Sequence, residues 1–256
     1  MLRGGGLRTP DSLDPVTFGI PGRPAPGSGS PTRTAPTARI SLGALQVNLR
    51  AVLGTARAGV VDVRADAWGH GVHVVAPLAL EAGAGAVLAD EWGARALAGI
   101  VDPHRVVFEG AGLSPDAVYG LSAGFRPALT LSGWVLSLKH LDAGDGVSYG
   151  YTYRAPQETS VALVTGGYAQ GVVRALGNSA SVLIAGERHP IVGRVAMDVC
   201  VVEIGNAGVS RGDEVLFFGD PAFSAPALGE WTAATGMTAG ELVTAVGLRS
   251  SREYVR

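Results

Sequence analysis

Apolar side chains in the first half of the chain recur with the periods of regular secondary structure. One set repeats at spacings of three and four, which predicts an amphipathic helix; its members are Leu42, Leu45, Leu49, Val52, Leu53 and Ala56. Apolar runs at residues 60–63, 86–89 and 105–108 predict buried strands, and residues 73–82 and 91–98 predict helices between them. This alternation is typical of βα units on a parallel sheet.

The pattern changes after about residue 127. Segments rich in β-branched residues alternate with glycine, which predicts an antiparallel sheet or barrel. The predicted strands are residues 130–138, 160–165, 181–185, 197–204 and 214–218, followed by helices at 227–235 and 239–246 that precede the C-terminal residues 253–255. We also predict a hairpin turn formed by Gly186 with Glu187–His189, before a strand at residues 190–192.

The first 37 residues differ from the rest in composition. Twenty-two of them are Gly, Pro, Ser or Thr, and periodic apolar positions are almost absent. Such a segment buries too little apolar surface to offset its backbone entropy, so we expect it to be disordered. The chain therefore divides into a disordered arm (1–37), a truncated α/β part (38–126) and an all-β part (127–256).

Composition and charge exclude several classes of function. The net charge of −2 argues against nucleic-acid binding, and no apolar run reaches the roughly 18 residues that span a bilayer. One cysteine, Cys200, excludes an intramolecular disulfide and a cysteine-cluster zinc site. We expect a cytoplasmic protein with no metal. Lys139 is the single lysine, so chemistry that needs a lysine amine has one candidate.

Five motifs carry a resemblance to a known family. They are RADAWGHG at residues 64–71, VSYG at 147–150, GYAQG at 167–171, PIVGRVAMD at 190–198 and GDEV at 212–215. In this order they resemble the alanine racemases, fold-type III enzymes that use pyridoxal phosphate. The resemblance implies a TIM-type (βα) barrel followed by a β-barrel-like carboxy-terminal domain, and interconversion of L-alanine and D-alanine.

Two departures from the family pattern change that expectation. Arg64 stands where the resemblance places the lysine that forms the Schiff base, and a guanidinium stays protonated and cannot act as the nucleophilic amine. About half of an eight-stranded barrel is missing between residues 105–110 and the VYGLS segment at 118–122. We therefore predict an incomplete (βα) barrel fragment and no conventional covalent binding of pyridoxal phosphate.

The resemblance also assigns candidate site residues. It makes Tyr149 the second acid/base and places Met197, Asp198 and Tyr168 on the substrate side. Each has a structural alternative: Tyr149 could form an aromatic ladder with two neighbouring tyrosines, and Asp198 could be a structural carboxylate at a strand start. Arg64 is either a cation that holds a phosphate or carboxylate, or the remnant of a lost catalytic position.

Three hypotheses about function follow. The first is a non-catalytic relative that forms a homo-oligomer or a heteromer with a full-length racemase. The second is an enzyme that performs acid/base chemistry on a small-molecule ligand with Tyr149 and without pyridoxal phosphate. The third is an amino-acid racemase with residual activity.

Overall fold

The computed structural model describes residues 34–54 and 58–256. The strands are β1 (Thr37–Ser41), β2 (Val60–Asp62), β3 (Ala86–Leu88), β4 (Val106–Val107), β5 (Leu129–Leu141), β6 (Gly146–Val147), β7 (Tyr153–Arg154), β8 (Thr159–Thr165), β9 (Ser181–Ile184), β10 (Glu187–Val192), β11 (Val199–Glu203), β12 (Glu214–Phe218) and β13 (Ser251–Val255). The helices are α1 (Leu42–Leu53), α2 (Arg64–Trp68), α3 (Val72–Glu81), α4 (Glu91–Ala96), α5 (Pro115–Val118), α6 (Leu228–Thr235) and α7 (Ala239–Arg249).

The all-β part is a closed antiparallel barrel of six strands. Its strands follow the order β12-β9-β10-β11-β8-β5, and an additional pairing of β12 with β5 closes the ring. The thirteen-residue strand β5 makes closure possible, because its first half pairs with β12 and its second half pairs with β8. This barrel and the α/β part together confirm the predicted fold class.

A strand from the beginning of the described chain joins this sheet. β1 pairs antiparallel with β5 and parallel with β13, so the first and last strands lie side by side. The sequence did not predict β1, and Thr37 was assigned to the disordered arm. A segment of only five residues before a helix is too short to show a periodic pattern of apolar positions. The rest of that arm, residues 1–33, lies outside the described residues. The division at residue 126 stays a prediction.

The α/β part contains a three-stranded parallel sheet in the order β2-β3-β4, as the alternating pattern predicted. Helix α1 is capped by Ser41, whose Oγ accepts a hydrogen bond from the Ala44 N–H at 3.1 Å. Buried side chains of both parts form one continuous apolar core, which joins Val61 of the parallel sheet to Phe217 of the barrel. The two parts therefore share their principal source of stability.

The predicted hairpin turn is displaced by one to three residues. Glu187–His189 do not form a turn; they belong to β10 and pair with Ile184, Leu183 and Val182 of β9. The turn consists of Ala185 and Gly186, whose φ angles of 51° and 85° fit a two-residue primed turn. The polar character of Glu187–His189 suggested a turn, but a strand with one solvated face also carries polar residues.

Candidate functional site

Arg64 lies directly after β2 and is held by a residue of that strand. The Asp62 carboxylate accepts hydrogen bonds from the Arg64 Nε at 3.0 Å and from a terminal guanidinium nitrogen at 2.5 Å. Asp62 is 4% exposed, and its hydrogen bonds and charge raise the pKa of Arg64 above its ordinary value. The guanidinium is therefore a fixed cation at the end of the strand.

The residues that follow belong to α2, which is a left-handed turn and not an α-helix. Four consecutive non-glycine residues, Ala65 to Trp68, have φ angles between 51° and 57°, which costs roughly 1–2 kcal/mol per residue. Two carboxylates stabilise the turn, one within it and one from α4's N-terminus. Asp66 accepts the Val72 N–H at 2.7 Å and pairs with Arg252 at 2.5 Å, and Asp90 accepts the Ala65 N–H at 2.8 Å.

A buried histidine supports this turn from beneath. His70 Nδ1 lies 2.9 Å from the Trp68 carbonyl oxygen, and because a carbonyl oxygen only accepts, Nδ1 carries the proton. Burial lowers the pKa of His70 to about 4, so the ring is neutral at physiological pH. The imidazole packs against Tyr119 with ring centroids 4.6 Å apart. This histidine orients the loop, as expected for a buried and neutral ring.

A cavity of about 660 Å³ opens beside Arg64, and we call it the Arg64 cavity. Arg64, Trp68, Asp90, Gly240 and Thr244 contribute to its lining. The Trp68 indole lies against the Gly240 backbone so closely that a Cβ at residue 240 would overlap the ring. The bulky Trp68 in the loop and the glycine at position 240 on α7 therefore fit each other.

Three loops meet at one end of the barrel and bring together several of the site residues that the resemblance predicts. The Tyr168 N–H donates to the Ala196 carbonyl at 3.0 Å, which joins the loop after β8 to the loop before β11. Gln170 donates to the Asp198 carboxylate at 2.8 Å. Tyr168 and Met197 remain 37% and 55% exposed. We call the surface formed by residues 148–151, 167–174 and 193–198 the barrel-end surface.

Tyr149 projects from the barrel-end surface and is 84% exposed. It lies in a turn between β6 and β7 in which Ser148 and Tyr151 have positive φ angles. The alternative of an aromatic ladder on one strand is therefore wrong, because a turn separates Tyr149 from Tyr153, whose hydroxyl donates to Glu203 at 2.8 Å. No residue of the barrel-end surface lines the Arg64 cavity.

Arginines accompany the aromatic side chains of this surface, a feature that sequence reasoning did not use. The Arg174 guanidinium lies over the Tyr168 ring at 4.8 Å from its centroid. Arg194 is exposed, and a Cβ at Gly150 would lie 3.5 Å from its guanidinium carbon. The position of Arg194, three residues before Met197, gave no signal in the sequence, since only the folded loops place it beside the turn that carries Tyr149.

Other candidate chemistry is limited in the described residues. Residues 34–54 and 58–256 contain no group of three or more metal-ligating side chains, and none of their helices is long and apolar enough to cross a bilayer. Lys139 lies half-buried on β5, where it lines a separate groove of about 340 Å³. Burial raises the pKa of Cys200 to about 12, so this thiol is not a nucleophile.

Comparison with known proteins agrees with the motifs. Residues 128–254 match the alanine racemase C-terminal domain. The chain is 43% identical over 146 residues to an alanine racemase of Frankia casuarinae and 44% identical over 145 residues to one of Thermobifida fusca. These alignments cover 56% and 54% of this chain but only 38% and 39% of the relatives, so the chain spans about two fifths of their length.

Solved structures share the fold. The crystal structure of an alanine racemase from Streptomyces lavendulae has a TM-score of 0.79 at 24% identity, with 89% of this chain and 98% of that chain covered. The alanine racemase from Bacillus anthracis with bound L-Ala-P has a TM-score of 0.76 at 20% identity, with coverage of 89% and 96%.

Proposed function

This chain belongs to the alanine racemase family, and from that premise we propose that it is a non-catalytic member that binds a partner subunit. The observation that carries the proposal is the Arg64–Asp62 pair. An arginine fixed by a buried carboxylate occupies the position that the resemblance assigns to the Schiff-base lysine. Family activity, interconversion of the two alanine enantiomers, would then take place on another subunit.

The residues around Arg64 do not fit covalently attached pyridoxal phosphate. Attachment needs a neutral amine, and Asp62 raises the pKa of the Arg64 guanidinium still further. The one lysine of the sequence, Lys139, lines a groove on the barrel and not the Arg64 cavity. A racemase needs a base on each face of the substrate, so this chain alone lacks one of the two.

The barrel-end surface supports a role in binding. Tyr149 and Met197 are more than half exposed, and Tyr168 is more than one-third exposed. Exposed apolar and aromatic groups that cluster on one surface mark interaction sites. The resemblance implies that the tyrosine matching Tyr149 reaches the cofactor of the other subunit in a dimer. We infer that Tyr149 supplies this acid/base group to a full-length racemase.

The test mixes the purified chain with a full-length racemase from the same cell. We expect sedimentation velocity to show a mixed complex, and Tyr149→Phe to lower its racemase activity at least tenfold while association is unchanged. Tyr254→Phe is the matched control, because it removes a phenolic hydroxyl that lies outside the barrel-end surface. Absence of any association at 50-fold excess of the racemase would refute the proposal.

A second candidate is acid/base chemistry by this chain alone. A tyrosine base needs a cationic neighbour, and the Arg194 guanidinium lies against Gly150, the residue after Tyr149. Exchange of the α-proton of free amino acids in deuterated water measures this activity without added cofactor. Exchange that Tyr149→Phe abolishes would favour this candidate, and exchange that requires added pyridoxal phosphate would favour a residually active racemase.

A further inference from the structure

A cavity of about 560 Å³ lies where the α/β part meets the barrel part, and we call it the seam cavity. Three stretches contribute most of its lining: residues 120–129 between α5 and β5, residues 218–222 at the end of β12, and residues 227–232 at the start of α6. Ala239 and Val243 of α7 complete it. Small-molecule sites have volumes of roughly 300–1,000 Å³ and often lie between domains, so both the size and the place fit a ligand.

The walls of the seam cavity are mainly apolar. Leu129, Phe218 and Val243 are buried at its floor, and Leu121 and Phe125 are half-buried in its walls. Eight of its nineteen lining residues are glycine or alanine, so the facing segments leave space between them. An apolar molecule that fills this space would remove both its own surface and that of the walls from water.

One carboxylate interrupts the apolar lining. Among the described residues that line the seam cavity, Asp220 alone is charged. Its Oδ1 accepts the Ala222 N–H at 3.0 Å, and its Oδ2 has no hydrogen bond or ion pair in the described part of the chain. A carboxylate beside apolar walls attracts a cation more strongly than a carboxylate surrounded by water. The charge of the lining therefore selects a positively charged ligand.

A second aspartate with the same local structure shows what is particular to Asp220. Asp102 precedes Pro103 and caps a short 3₁₀ helix by accepting the His104 N–H at 3.0 Å, just as Asp220 precedes Pro221 and caps another. Asp102 is exposed and does not line the seam cavity. Capping accounts for one oxygen of each residue, so it does not explain why the second oxygen of Asp220 borders an apolar cavity.

We propose that the seam cavity binds a small amphipathic amine. The apolar body of the ligand fills the cavity, and its ammonium group donates a hydrogen bond to the free oxygen of Asp220. The Thr232 hydroxyl donates to the Gly229 carbonyl at 2.9 Å, so its oxygen is a further acceptor in the lining. Neither Arg64 nor Tyr149 lines the seam cavity, so this site stands independently of the proposed function.

Two probes with the same apolar body and opposite charges test the proposal. Tryptamine carries an ammonium group and indole-3-propionate a carboxylate, each on two methylene groups attached to an indole ring. We expect calorimetric titration to show tryptamine binding with a Kd of about 1 mM or tighter. Tryptamine should shift the amide NMR signals of Gly219 and Gly229, and indole-3-propionate should bind at least tenfold more weakly. Equal affinity for the two probes, or no binding of tryptamine at about 10 mM, would overturn the proposal.

An isosteric substitution tests the role of the carboxylate. Asp220→Asn retains an oxygen that can accept the Ala222 N–H but removes the negative charge. We expect it to weaken tryptamine binding about tenfold, since a hydrogen bond between two charged groups is lost. Asp102→Asn is the matched control, because it makes the same change in the same capping motif outside the cavity. An unchanged affinity in Asp220→Asn, or an equal loss in the control, would contradict the proposal.

A larger side chain in the lining tests the position of the ligand. A Cβ at Gly229 would meet no atom within 4 Å, so phenylalanine has room at this lining position. We expect Gly229→Phe to weaken tryptamine binding at least tenfold and to leave the thermal unfolding cooperative. Gly208→Phe is the control, since a Cβ at this exposed position outside the cavity also meets no atom within 4 Å. Tryptamine that binds a folded Gly229→Phe variant with unchanged affinity would show that it occupies another site.

Discussion

In the six-stranded barrel every strand has a neighbour on both sides, whereas the three-stranded parallel sheet ends at β2 and β4. The β2 end is partly covered: Leu113 donates its N–H to Val60 at 2.7 Å, and the Tyr119 hydroxyl donates to Asp62 at 2.7 Å. The β4 end is not. Closure pairs the backbone groups of every strand within one chain, whereas an open sheet leaves the outer backbone groups of its edge strands to other partners.

The exposed apolar side chains reflect this difference. The α/β part exposes Trp92, Ile100 and Phe108 by 53%, 51% and 60%, around α4 and β4. The barrel part exposes its apolar and aromatic groups chiefly at its loops, with Tyr149 as the most exposed. The α/β part is thus an open sheet with apolar side chains exposed around one edge, and the barrel part is a closed sheet whose loops carry a candidate binding surface.

The largest effect is expected from the barrel core. Phe217 is fully buried and lies edge-to-face with Trp231, 6.3 Å between ring centroids. Phe217→Ala should lower the free energy of unfolding by about 3–5 kcal/mol, because it leaves a large cavity. Denaturant unfolding followed by circular dichroism measures this loss. The exposed Phe223→Ala is the control, with a change of less than about 0.5 kcal/mol.

The Phe217 variant also tests whether the two parts are independent. Because one apolar core joins them, we expect a single cooperative transition with both parts unfolding together. Two separate transitions, with the α/β part melting at its original denaturant concentration, would show that the shared core contributes little.

A smaller effect is expected where α7 meets the left-handed turn. A Cβ at Gly240 would overlap the Trp68 ring, so Gly240→Ala should lower the free energy of unfolding by about 2–3 kcal/mol. Trp68→Ala in the same chain should recover part of that loss, because the space is then free. A double-mutant cycle from denaturant unfolding measures the coupling, and additive effects of the two changes would contradict the contact.

The loop beneath Arg64 should make stability depend on pH. Burial lowers the pKa of His70 to about 4 in the folded state, against about 6.5 in the unfolded chain. The unfolded state therefore binds more protons below pH 6.5, and stability falls as the pH drops from 6.5 toward 4. Linkage predicts a loss of about 2 kcal/mol at pH 5 relative to pH 8.

Comparison with a variant isolates the contribution of this residue. Denaturant unfolding at pH 8 and pH 5 should show a smaller difference for His70→Gln than for the unchanged chain, since glutamine does not titrate. An equal difference in both proteins would assign the pH dependence to other groups.

The smallest effect is expected at the start of α1, where the barrel sheet passes into the α/β part. Ser41→Ala removes the side chain that accepts the Ala44 N–H and should lower the free energy of unfolding by about 1 kcal/mol. Ser41→Asp restores an acceptor and should recover most of the loss. A loss for alanine that aspartate does not recover would argue against a capping role.

The local sequence pattern was sufficient to predict most secondary-structure elements and to indicate the family. Periodic apolar positions located α1, α3 and the strands of the parallel sheet, because burial on one face repeats with the geometry of the element itself. The motifs around Arg64 and Tyr149 indicated the family in the same way, since each is a short stretch of adjacent residues. The arginine at position 64 was visible from the sequence alone.

Contacts between distant residues were decided only by the tertiary structure. The pairing of β1 with β13 joins residues more than two hundred positions apart, and the fit of Trp68 against Gly240 joins a loop to a helix near the other end of the chain. Periodicity reports how one segment divides its faces between core and solvent, but it carries no information about which segment covers it. For the same reason the sequence could only name Arg64 and Tyr149 as candidates, and the fold shows that Tyr149 lies on the barrel-end surface, apart from the Arg64 cavity.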